Sequence, residues 1–126
     1  MAADFKCPHC LNLLNVGENI VFSTRNLWNK EGIILLHPGL GNYKVIKHPD
    51  FEVLKGQILE FSCIYCNKQL TSERNVNLAK ILMCEDGVDY EIHFSRVSGQ
   101  HATYKIIGKN IELFGEDAKA YFDSIQ

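Results

Sequence analysis

The clearest hydrophobic pattern in the chain has a period of two. Over VDYEIHFSR (88–96), Val88, Tyr90, Ile92 and Phe94 fall on one face of a strand, while Asp89, Glu91, His93 and Ser95 fall on the other. The apolar run LAKILMCE (78–85) precedes it, and Asp86-Gly87 between the two is a strong signal for a tight hairpin. A second turn at Ser98-Gly99 leads into ATYKIIG, so the segment 76–126 reads as an antiparallel meander. It closes with GEDAKAYFDSIQ, where Glu116 and Asp117 suit a first helical turn and Ala118, Tyr121, Phe122 and Ile125 recur at helical spacing. This predicts a short amphipathic helix packed on the sheet.

Earlier in the chain, segment 17–60 also reads as short strands. IVFS, IILLH, NYKVIKH and QILEFSC are rich in β-branched and aromatic residues. Gly17, Gly32, Gly39, Gly41 and Gly56 punctuate them, and Pro38 and Pro49 oppose a continuous helix. HPGLGNYK has close-set glycines but lacks the lysine and hydroxyl residue of a phosphate loop, so it reads as a turn. The expected fold is β-rich α+β, a single domain over 1–126 with a β-rich insertion and a short C-terminal helix.

Composition narrows the class. At 126 residues, 46% apolar and 22% charged, the chain has ordinary globular proportions and the length of one domain. No run approaches the roughly 18 apolar residues of a membrane span, and MAADFKC lacks the basic and apolar regions of a signal peptide. The expectation is a cytoplasmic protein without a membrane partner. A formal net charge of −2 argues against generic binding to a phosphate backbone.

Candidate chemistry is concentrated in FKCPHCLN and EFSCIYCN, two Cys-x-x-Cys pairs in a chain of five cysteines. A reducing compartment disfavours a disulfide framework and leaves metal binding or redox chemistry. Two such turns can close a tetrahedral shell of thiolates around one ion, and a β-rich insertion that folds back on itself can bring distant turns together. Pro8 stiffens the first turn, and Asn67 tolerates the left-handed conformation often needed after the second pair; Leu11 suits the matching position less well. A redox pair would open a helix, whereas LNLLNVGENIVF after Cys10 is strand-like. Iron in place of zinc stays open on these residues alone.

The motifs CPHC and CIYC, with the lead-in VLKGQILEFSC, resemble zinc-ribbon knuckles and in particular the prokaryotic CpXC proteins, named for two CPXC motifs. The resemblance spans roughly residues 5–70, with knuckles near 5–12 and 61–68. Ile64 stands where that family's second motif has proline, and neither motif here is followed by glycine. The resemblance implies Cys7, Cys10, Cys63 and Cys66 as ligands of one structural Zn2+ per chain.

The remaining residues suggest less. Cys84, inside AKILMCE, reads as a small buried hydrophobe, and His9 as exposed or in contact with the ligands. His37, His48, His93 and His101 are scattered, and none is assigned a catalytic role. Trp28, Tyr43 and Phe51 near Lys30, Lys44 and Lys47 could offer a stacking surface for single-stranded nucleic acid, but such residues more often form a core with a charged rim. The favoured function is a metal-stabilised binding or regulatory module with a protein partner. A nucleic-acid-binding ribbon and a thiol redox enzyme or sensor are the alternatives.

Overall fold

The structure, a computed structural model, describes residues 3–126 as two antiparallel sheets followed by a short C-terminal helical segment. Along the chain the strands are β1 (Asp4–Lys6), β2 (Asn15–Val16), β3 (Asn19–Arg25), β4 (Glu31–Leu36), β5 (Val45–Lys47), β6 (Glu60–Ser62), β7 (Leu78–Glu85), β8 (Val88–Ser95), β9 (Thr103–Ile107) and β10 (Asn110–Phe114). A 3-10 turn over Ala118–Tyr121 then runs into α1, Phe122–Ile125. The first sheet has the order β1-β7-β8-β9-β10; the second has β2-β3-β4-β5, with β6 also on β3. Since β4 pairs with β3 over Ile20–Arg25, β2 and β6 share the opposite edge of β3.

The β7–β8 hairpin forms as the pattern predicts. Glu85 pairs with Val88 around Asp86 and Gly87, both at positive φ (53° and 78°), the conformation that matches the turn's twist to that of the strands. The insertion holds less strand than its composition suggests: NYKVIKH contributes only Val45–Lys47 and QILEFSC only Glu60–Ser62. An unforeseen strand, β10, pairs with β9 through a turn at Gly108. The C-terminal helix is also shorter than expected, with Ala118 and Ile125 its buried residues. Among the described residues, no helix is long and apolar enough to cross a membrane.

Two hydrophobic clusters organise the packing. The larger joins both sheets through Phe5, Phe22, Ile34, Phe61, Ile81 and Ile92, and Phe22, Phe61 and Phe94 meet with ring centroids 5.2–5.6 Å apart. The smaller gathers Leu78, Ala102, Tyr104 and Ile106 beneath Ala118 and Ile125. The first sheet is therefore covered on both faces where the C-terminal turns lie across it.

That second cover corrects one expectation. His93 belongs to the polar face of β8 by alternation, yet it is fully buried. It lies beside Tyr104 in the sheet register, and the Tyr104 hydroxyl donates to the Ala118 carbonyl. A period of two assigns faces but does not say which faces are wet.

Candidate metal centre

Each cysteine pair sits in a tight turn of the same construction. In the first, His9 N–H donates to Cys7 Sγ at 3.3 Å, Leu11 N–H to the Cys7 carbonyl at 2.9 Å, and Cys7 N–H to the Asn12 carbonyl at 3.1 Å. In the second, Tyr65 N–H donates to Cys63 Sγ at 3.3 Å, Asn67 N–H to the Cys63 carbonyl at 3.0 Å, and Cys63 N–H to the Lys68 carbonyl at 3.1 Å. Asn67 adopts the left-handed conformation foreseen for it, and Leu11 adopts it as well. The closing hydrogen bonds of the turn impose that backbone on a leucine.

The turns grow from different sheets. Cys7 follows β1, an edge strand of the first sheet, and its return limb passes to the second sheet, where Val21 N–H donates to the Leu14 carbonyl. Cys63 follows β6 in the second sheet, and its return limb passes to the first, where Lys80 N–H donates to the Leu70 carbonyl. The arrangement is the same with the sheets exchanged. His9 ties the turns directly, its Nε2 lying 3.3 Å from the Gln69 carbonyl oxygen, and its side chain is exposed as expected.

This crossing brings the sulfurs of Cys7, Cys10, Cys63 and Cys66 within 4.8 Å of one another, a group that could hold a metal ion. Cys7 Sγ is 3.8 Å from Cys66 Sγ, and Cys10 Sγ is 3.6 Å from Cys63 Sγ. A tetrahedron with Zn–S bonds near 2.3 Å has edges of about 3.8 Å, so both distances fit thiolates around one ion. Both are far too long for a disulfide, and all five cysteines are free. Cys7 and Cys63 are fully buried, whereas Cys10 and Cys66 lie nearer the surface.

Their acidities diverge. Burial pushes the Cys7 thiol up to about 12 and also raises Cys63. Cys10 is lowered to about 6, first by the Asn12 backbone amide and also by the Asn12 side chain, whose Nδ2 donates to Cys10 Sγ at 3.4 Å. Without a cation, at least two of these sulfurs resist ionisation; a metal ion supplies the opposite charge that favours their thiolate forms.

Other candidate residues do not join the group. Cys84 is half-buried rather than core, set between Asp4 and Asp89 in the register, and burial together with Asp89 raises its thiol pKa. Phe51 is buried and Tyr43 stacks on His101, which leaves Trp28 as the exposed member of that aromatic trio. HPGLGNYK folds as a turn, with Asn42 N–H donating to the Gly39 carbonyl.

One constellation escaped the sequence reading. Ser72 Oγ lies 2.8 Å from His93 Nδ1, and His93 Nε2 lies 3.0 Å from Glu91 Oε1. The elements are those of a nucleophile, a base and an orienting carboxylate, but Ser72 and His93 are both buried and Ser72 Oγ also accepts the Arg74 N–H. A substrate has no path to that hydroxyl, so the chain pins the 72–77 loop to β8 and is structural. The only sequence signal for it was a histidine on an otherwise acidic strand face.

Comparison with family models, curated proteins and solved structures finds no match to this chain.

Proposed function

We propose that Cys7, Cys10, Cys63 and Cys66 hold one structural zinc ion and that the chain is a metal-stabilised binding module with a protein partner. The observation that carries the reading is the convergence of four sulfurs from turns with matching backbone N–H hydrogen bonds, at separations that fit a tetrahedral thiolate shell. When bound, the ion supplies a cross-link and neutralising charge. Four sulfur ligands leave no open coordination position for a reactive water, which argues for a scaffold rather than hydrolysis. The similarity to CpXC-type knuckles belongs to the same reading. The protein-binding role draws support from large apolar side chains on both turns, Leu11 at 61% and Tyr65 at 53% exposure.

Metal analysis of protein purified without added metal, paired with a free-thiol count, tests the site. About one zinc per chain with four thiols shielded is expected, and cobalt substitution should give the absorption of a tetrahedral thiolate centre. Little metal, with all thiols titratable in the folded protein, defeats the assignment.

A further inference from the structure

Between the two sheets, on the side where the loops 37–44 and 96–101 face each other, the protein forms a half-open cavity of about 390 Å³. Its wall is apolar: half-buried Leu36, Leu40, Val53, Phe94 and Val97 line it, backed by the fully buried residues of the main core. Close-packed interiors leave few voids larger than a water molecule. This volume instead lies in the range of small-molecule pockets, which pair an apolar body with a few convergent polar groups.

The charged side chains in the lining are all cationic, while the carboxylates nearby, Glu116 on His101 at 2.9 Å and Glu60 near Arg96, stand outside it. Lys44, Lys47 and Arg96 line the cavity and neither Asp nor Glu does, although Asp and Glu outnumber Lys and Arg by 15 to 13 in the whole chain. Among the described residues, none of the three cations forms an ion pair, whereas Arg25, Arg74, Lys80 and Lys105 all do. Lys47 Nζ donates to the Phe51 carbonyl at 2.8 Å, and Arg96 donates to the carbonyls of Leu59 and Val76. Those contacts restrain the two side chains and leave further N–H donors on each; of the three acceptors, Leu59 is in the lining.

The rim is also held in place. Tyr43 donates its hydroxyl hydrogen to the Phe114 carbonyl at 3.0 Å, so the 2.9 Å contact with Thr103 has the threonine as donor. The Tyr43 ring stacks on His101 with centroids 4.3 Å apart. These contacts tie the 37–44 loop to the β9–β10 end of the first sheet, with exposed Lys44 next in the chain.

We propose that this cavity binds a small amphiphilic anion, a medium-length apolar body ending in one carboxylate, as in a medium-chain fatty acid. The apolar wall takes the body, and Lys44, Lys47 and Arg96 receive the carboxylate. At ~30 Å³ per water-sized group, the volume holds on the order of a dozen such groups, which is the size of decanoate.

The test is calorimetric titration of the full chain with decanoate and with decanol, its neutral counterpart, and the metal content measured on the same sample. Decanoate should bind at about one per chain and more tightly than decanol. Replacing Lys44→Gln and Lys47→Gln together should weaken decanoate about tenfold and change decanol by less than about twofold. Leu40→Trp, at the half-buried wall, should abolish both while thermal unfolding stays cooperative. No binding of either compound overturns the site; equal binding of the two, unaffected by the lysine changes, overturns the anionic end. Decanoate binding in a sample without zinc supports the cavity and counts against the metal reading, so the two proposals fail separately.

Discussion

Leu11 and Asn67 share one backbone conformation, φ 63° and 62°, each at the residue after the second cysteine of its turn. Asparagine adopts that conformation readily and leucine at a cost, the left-handed helical region being roughly 1–2 kcal/mol unfavourable for an ordinary L-residue. Leu11 is mostly exposed, so its replacement gives up little burial. Leu11→Asn should stabilise the protein by about 0.5–1 kcal/mol and Asn67→Leu should destabilise it by a similar amount, read from denaturant midpoints at unchanged metal content. Opposite signs would mean that the leucine earns its place through contacts made in the folded chain.

The four sulfurs act as one unit in the proposed centre. Cys7→Ser and Cys63→Ser should each lower metal occupancy and thermal stability together, because binding energy at a structural zinc site is folding energy. The double variant should be little worse than either single one, since each already opens the shared shell. Cys84→Ser, outside the group, should leave occupancy unchanged. Metal content and melting temperature across the four proteins decide the point; additive losses would argue for two separate sites.

His93 makes stability depend on pH. Burial lowers its pKa below the ordinary histidine value of about 6.5, only partly opposed by Glu91 and Glu73. The unfolded chain therefore binds the proton more readily, and the contribution of neutral His93 is present above that value and lost as pH falls below it. Between about pH 7.5 and 6, zinc-saturated wild type should lose more stability than His93→Gln, because the other ionisable groups are common to both. Parallel stability curves would show that His93 does not titrate differently on folding.

Two glycines at positive φ should respond differently to a methyl group. At Gly115 (φ 94°), a Cβ would overlap the His101 carbonyl oxygen and the Tyr43 hydroxyl, neither of which can move freely. At Gly17 (φ 58°) it would meet nothing within 4 Å. Gly115→Ala should cost roughly 3 kcal/mol or more, and Gly17→Ala only the backbone strain of about 1 kcal/mol. Equilibrium unfolding of the two variants checks the ranking.

Local patterns made part of this fold legible from the residues alone. Alternation and the Asp86-Gly87 turn specified the β7–β8 hairpin to within one residue, β8 ending at Ser95 rather than Arg96, because turn chemistry and side-chain period act within a few positions. Spacing within each cysteine pair, together with Asn67, specified turns whose hydrogen bonds all fall within six residues. The rest depends on long-range packing. Only the exchange of limbs between the sheets brings Cys7 to Cys66, since that meeting depends on β1 pairing with β7 and β6 with β3 across long separations. The burial of His93 depends on the C-terminal turns crossing the second face of a sheet, which alternation along β8 cannot encode. The cavity is likewise set by how far apart two packed sheets stand and by the Tyr43 contacts that hold its rim, quantities with no counterpart in any single stretch of sequence.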